Sequence, residues 1–131
     1  MLAPQTNIKE AYMYGQDDEQ KFIQNMSLFY SNLFVNHLQL IESKEDLRSH
    51  LVDAFEYMLN ISEVEETEIF KICLELWNHI VADLYRQNQE LNYNMLAHNV
   101  DITQRNIFYA PILSRVICVF SWWCQFNTIS A

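Results

Sequence analysis

An all-α fold built from antiparallel helix pairs is what this 131-residue sequence predicts, and three observations carry that expectation. Apolar residues recur at steps of three and four along four segments; only one glycine, Gly15, and two prolines, Pro4 and Pro111, are present; and no segment alternates in the manner of a strand. Half of the residues are apolar, too many for an acidic disordered chain, and the length suits one ordinary domain or a piece of a larger one.

Residues 1–16 show no sustained period and read as a loop or the end of a preceding element. The first helix is expected at Asp17, where Gln20 follows at capping-box spacing. Its leading stripe is Phe22, Met26, Phe29, Leu33, Leu40 and Ile41, widened by Ile23, Tyr30, Phe34 and Leu38. Ser43 and Asp46 signal a second helix over 46–60, with Leu47, Leu51, Phe55, Met58 and Leu59 on its apolar face. The short join makes these two an antiparallel hairpin.

Ser62 and Glu65 repeat the cap spacing, and Glu65, Glu66 and Glu68 place negative charge beside the unpaired amides of a first turn. The third helix then carries Ile69, Cys73, Leu76, Ile80 and Leu84. Residues 87–100, rich in Asn and Gln, read as a linker. Asp101 and Gln104 open a fourth helix through Ile107, Phe108, Ile112, Leu113 and Val116, which Pro111 should kink. Periodicity alone leaves a four-helix bundle and a stack of solenoid repeats both open.

Chemistry finds little support in these residues. His37, His50, His79 and His98 fall on different segments without zinc-ligand spacing, so no metal or other cofactor is expected. Glu65 and Glu68 share a face but sit in a solvated first turn, where cap stabilisation accounts for them. Cys73 lies on an apolar stripe without a base beside it and reads as a core thiol. No catalytic constellation emerges, and the expectation is a non-enzymatic protein.

Seventeen acidic residues against eight basic ones give a net charge of -9. Between Glu42 and Asp83 the balance is eleven acids to three bases, which disfavours direct nucleic-acid binding and suits a basic protein partner. Three cysteines and a start lacking basic and apolar regions read as intracellular. The longest uncharged run, Val116 to Ala131, has sixteen residues, short of the roughly 20 that a bilayer span needs, and no membrane is expected.

Two segments, DDEQKFIQNMSLF from Asp17 to Phe29 and ISEVEETEIFKICLELWNH from Ile61 to His79, resemble the exportins, nuclear export receptors of the karyopherin-beta family. The resemblance runs from about Thr6 through Val116, with Arg105, Tyr109, Pro111, Leu113 and Val116 carrying it in the fourth helix. It implies an α-solenoid of HEAT repeats and about two repeats in this chain, one over 17–60 and one over 61–120. The family shuttles between nucleus and cytoplasm, binds Ran in its GTP form on an inner face and holds cargo carrying leucine-rich export signals in an outer groove. It also touches phenylalanine-glycine nucleoporins.

On that analogy the second helix of each pair, 46–60 and 102 to about 120, lines the inner surface. Asp46, Ser49, Asp53, Glu56 and Asn60 become candidate inward protein contacts. The family's reactive groove cysteine lies farther along, so Cys73 does not inherit that role and the cargo groove is not expected here. After Val116 the likeness stops abruptly, and 121–131 read as a divergent apolar tail, as in a truncated remnant or a misread gene segment. Two repeats are also fewer than the roughly three that bury a continuous solenoid core, so marginal stability and self-association are expected.

Overall fold

Residues 7–93 and 99–130 of the backbone, and side chains over 7–89 and 104–125, are described by the computed structural model. The described residues are helical: α1 (Ile8–Tyr14), α2 (Asp17–Glu42), a short 3-10 turn (Glu45–Leu47), α3 (Arg48–Ser62), α4 (Thr67–Tyr93) and α5 (Asn99–Ser130). The chain divides into two compact units, one up to Leu76 and one from Trp77 onward, with α4 passing from the first into the second.

In the first unit α2 and α3 form the antiparallel hairpin that the sequence predicts. Phe34 meets Phe55 at 4.8 Å between ring centroids, and Tyr30 stacks on Tyr57 at 6.4 Å, a pairing order that only opposed helix directions allow. The core face of α2 is centred on residues expected to widen its stripe, Ile23, Phe34 and Leu38, more than on the leading ones. Ile23, Ser27, Ser31, Phe34 and Leu38 are buried, while Phe22, Phe29 and Leu40 are exposed. Ser27 and Ser31 are why: a polar residue was not counted as core, yet the Ser27 hydroxyl donates to the Gln24 carbonyl at 2.6 Å, which lets a small side chain go inside. On α3, Leu51, Phe55, Met58 and Leu59 are buried as expected.

α1 lies within residues 1–16, the segment read as a loop or the end of a preceding element. One short helix offers too few turns for a period to register, and its support is partly tertiary. Asn7 accepts from the Glu10 amide, Ile8 is buried, the Tyr12 carbonyl accepts from Gln20 Nε2 at 2.9 Å, and Lys9 pairs with Glu65 at 3.2 Å. Gly15 makes the corner into α2. Its backbone is extended, so the need for glycine is one of space: a Cβ would collide with the Ala11 carbonyl and the Glu19 carboxylate.

Helix starts move by a residue or more from the expected caps. The capping box of α2 uses Gln16 and Glu19, not Asp17 and Gln20. Ser62 ends α3, its hydroxyl donating to the Met58 carbonyl at 2.6 Å, and α4 begins at Thr67. Residues 87–93, read as linker, continue α4. Asp101 lies inside α5, which begins at Asn99. His98 and the last residue of the expected tail lie outside the described residues.

The second unit pairs the later part of α4 with α5. Trp77, Ile80, Asp83 and Leu84 are buried on α4; Tyr109, Val116, Val119 and Trp123 are buried on α5, at helical spacing. α5 runs through Pro111 to Ser130 as one helix, beyond the end expected near residue 120. Pro111 is exposed, as is Ile107 four residues back, so the carbonyl that loses its amide partner lies beside solvent. By length and composition Gln104–Gln125 also reaches what a membrane crossing needs. The uncharged run from Val116 is shorter because Arg115 bounds it. A core helix of a water-soluble protein meets the same test.

Candidate protein-interaction face

The five candidate contacts separate by position. Asp46 lies in the 3-10 turn, while Ser49, Asp53, Glu56 and Asn60 recur along α3 at steps of four, three and four, which keeps them on one side of the helix. All but Asn60, which is half-buried, are exposed. The opposite side of α3 is the one that buries Leu51, Phe55, Met58 and Leu59, so the polar stripe is what amphipathic packing leaves outside.

Three of the five also edge an open groove of about 820 Å³ along the α2–α3 hairpin. Asp53, Glu56 and Asn60 stand on its α3 side; Tyr30, Leu33 and Phe34 come from α2, and Leu51, Ala54 and Tyr57 complete the apolar floor. Asp46 and Ser49 do not line it. Tyr30 sits in this floor with its phenol pKa raised, first by burial and then by the neighbouring Tyr57 hydroxyl. It therefore enters the groove as a neutral hydrogen-bonding ring. An apolar channel with carboxylates at its edge favours an amphipathic protein segment carrying Lys or Arg beside apolar side chains.

Among the described residues no cluster of three or more His, Cys, Asp or Glu side chains could hold a metal ion. Glu65 is paired with Lys9 and Glu68 with Lys71, so the two carboxylates read as cap residues are engaged separately. Cys73 is fully buried, and burial pushes its thiol up to about 11, a hydrogen bond with Ser62 pulling the other way. It is a core thiol, as its place on the apolar stripe implies.

Asp83 is what sequence reasoning missed. Its side chain is only 8% exposed, and it accepts from Arg105 at 2.7 Å and from Arg86 at 2.6 Å. Arg105, itself 11% exposed, also reaches Gln87 and lies 5.5 Å over the Tyr109 ring, while Asn106 donates to Asn88 at 3.0 Å. Burial works against ionising Asp83, but the hydrogen bonds and charges of the two arginines prevail and hold its carboxyl below the usual value. The signal was a carboxylate between Ile80 and Leu84 on an apolar stripe.

Comparison with known proteins identifies the surroundings of this face. Residues 49–85, spanning most of α3 and much of α4, match the family model described as the chromosome region maintenance or exportin repeat. Exportin-1 of Schizosaccharomyces pombe is 46% identical over 91 residues, covering 70% of this chain and 8% of its own length. Protein EXPORTIN 1A of Arabidopsis thaliana is 45% identical over 85 residues, covering 65% and 8%. Exportin-1 of Drosophila melanogaster is 38% identical over 112 residues, covering 84% and 10%. The chain thus spans a tenth or less of the length of these relatives. With an exportin repeat across its central helices and antiparallel helix pairs of HEAT type on either side of Trp77, the chain belongs to the exportin-1 type of the karyopherin-beta family.

Proposed function

We propose that this chain supplies about two HEAT-type helix pairs to nuclear export, as a non-enzymatic scaffold in the Ran-GTP-dependent export of proteins carrying leucine-rich signals. The observation that carries this reading is the exportin repeat over residues 49–85, because it contains the helix bearing the acidic stripe. Asp46, Ser49, Asp53, Glu56 and Asn60 are proposed as inward contacts. Eleven acids against three bases between Glu42 and Asp83 would attract a basic surface across a screening distance of roughly 8 Å at physiological salt. Nucleoporin contact and shuttling through the pore belong to the same reading and depend on the rest of such a receptor.

The alternative reading is a remnant that keeps the repeat without the transport role. Immobilised chain offered GTP-loaded Ran and a leucine-rich export-signal peptide separates the two. The scaffold reading expects Ran to be retained, retention to fall as salt rises, and Asp53→Lys with Glu56→Lys to abolish it, without capture of the peptide. Retention of neither ligand favours the remnant.

A further inference from the structure

The groove along the α2–α3 hairpin is floored by a stack of rings. Phe34 lies on Tyr30 at 5.9 Å between ring centroids with the planes 14° apart, and Tyr30 lies on Tyr57 at 6.4 Å and 13°. Tyr57 is the last of the series. It is half-buried, and among the described residues its ring meets no aromatic other than Tyr30, so one ring face has no aromatic neighbour.

Asp53, Tyr57 and Asn60 follow one another on α3 at steps of four and three. A carboxylate, a phenol ring and an amide therefore stand in a row, and all three line the groove. Asp53 is exposed and makes no ion pair among the described residues. No neighbouring cation along the chain serves it: from Ser49 to Phe70 there is no Lys or Arg, and Arg48 is engaged at the end of α2, its Nε donating to the Glu42 carbonyl at 3.3 Å.

We propose that this row recognises an arginine side chain carried on an apolar helical segment of a partner protein. A guanidinium is planar and always charged, so it stacks on a ring face while its in-plane N–H groups reach a carboxylate and an amide oxygen together. An ammonium has no plane to stack. Tyr57 supplies the ring, Asp53 the carboxylate and Asn60 the side-chain oxygen.

The rest of the groove fixes what carries the arginine. Tyr30, Leu33, Phe34 and Ile41 form its wall on α2 and none is charged, whereas Asp53 and Glu56 both stand on α3. An occupant thus needs one apolar side for the floor and a positive flank turned toward α3. From Tyr30 to Ile41 the α2 wall runs about 16 Å at 1.5 Å per residue, room for about three turns of helix. The surrounding charge agrees, since eleven acids against three bases between Glu42 and Asp83 draw in a cationic segment and repel an acidic one. The inference needs no role in export: failure to retain Ran leaves it standing, and its own failure leaves the export reading to the Ran measurement.

Fluorescence anisotropy of the full 131-residue chain against a labelled helical peptide tests it, the peptide having leucines along one face, a single arginine on the flank, and alanine and glutamine elsewhere. Saturable binding is expected. Replacing that arginine by citrulline, which keeps the shape and removes the charge, should weaken it about fivefold or more, with lysine falling between. Asp53→Asn should weaken the arginine peptide about as much and leave the citrulline peptide unchanged. Tyr57→Leu, which keeps the groove apolar, should remove the preference for arginine over lysine. Asp53 is exposed, so Asp53→Asn keeps the fold and decides the matter alone if Tyr57→Leu does not fold. Equal binding of the arginine and citrulline peptides overturns the proposal, as does an absence of saturable binding or an Asp53→Asn chain that still prefers arginine to citrulline by the same factor.

Discussion

Each of the two units has its own kind of internal fastening. Up to Leu76 the fastening is apolar and aromatic, with Phe34 against Phe55, Tyr30 against Tyr57, and Leu51, Met58 and Leu59 buried around them. From Trp77 onward the join between α4 and α5 adds a buried ionic clasp, in which Asp83 is gripped by Arg86 and Arg105, with Gln87, Asn88 and Asn106 alongside. Apolar packing tolerates exchange of one oily residue for another, whereas a clasp fails when a single partner is removed. The lesson is that hydropathy reads the first unit well and the second poorly.

Truncation breaks the comparison most sharply. Phe55→Ala should cost about 3–5 kcal/mol through lost burial and the cavity left behind, seen as a lower denaturant midpoint with loss of amide protection in α2 and α3. Arg105→Ala should cost a similar ~3–5 kcal/mol by leaving Asp83 buried with less compensation, and here protection should fall first in α5. Replacing both partners, Asp83→Leu with Arg105→Met, sharpens the contrast: it should be close to neutral in the same melt, because neither charge then needs a partner.

Gly15→Ala comes next, at about 1–3 kcal/mol of overpacking against the Ala11 carbonyl and the Glu19 side chain, measurable as a lower midpoint with α1 protection lost first. Acid acts through the clasp as well. Asp83 has its carboxyl lowered in the fold, so its contribution is complete above the unfolded carboxylate value of about 3.9 and disappears as pH falls through the lower folded value. Asp83→Asn should therefore flatten the fall in stability below pH ~4. The smallest effect belongs to Lys71→Ala, which removes a solvated pair with Glu68 and should shift the midpoint by less than ~0.5 kcal/mol.

The class of fold and the hairpin were legible because Leu51, Phe55, Met58 and Leu59 combine three- and four-residue steps with a short join. On α2 the expected Ile23, Phe34 and Leu38 are buried, but Ser27 and Ser31 join them while Phe22 and Phe29 stay out, a choice made by tertiary fit rather than by polarity. Cap spacing misplaced the start of α4, since Ser62 spends its hydroxyl on its own helix. Of the proposed contact residues, the sequence placed the α3 stripe by phase, but not the groove that Asp53, Glu56 and Asn60 share with Tyr30, which needs two helices at once. The clasp stayed hidden for the same reason: Asp83 and Arg105 are 22 residues apart, and nothing local marks them as partners.

The buried thiol of Cys73 gives the molecule a reporter of its own opening. With Cys118 and Cys124 exposed on α5 and readily replaced, a chain keeping only Cys73 reacts with a thiol reagent solely during the moments when the helices around it part. The labelling rate then clocks the breathing of the interior, and any binding partner that slows it does so by keeping that door shut.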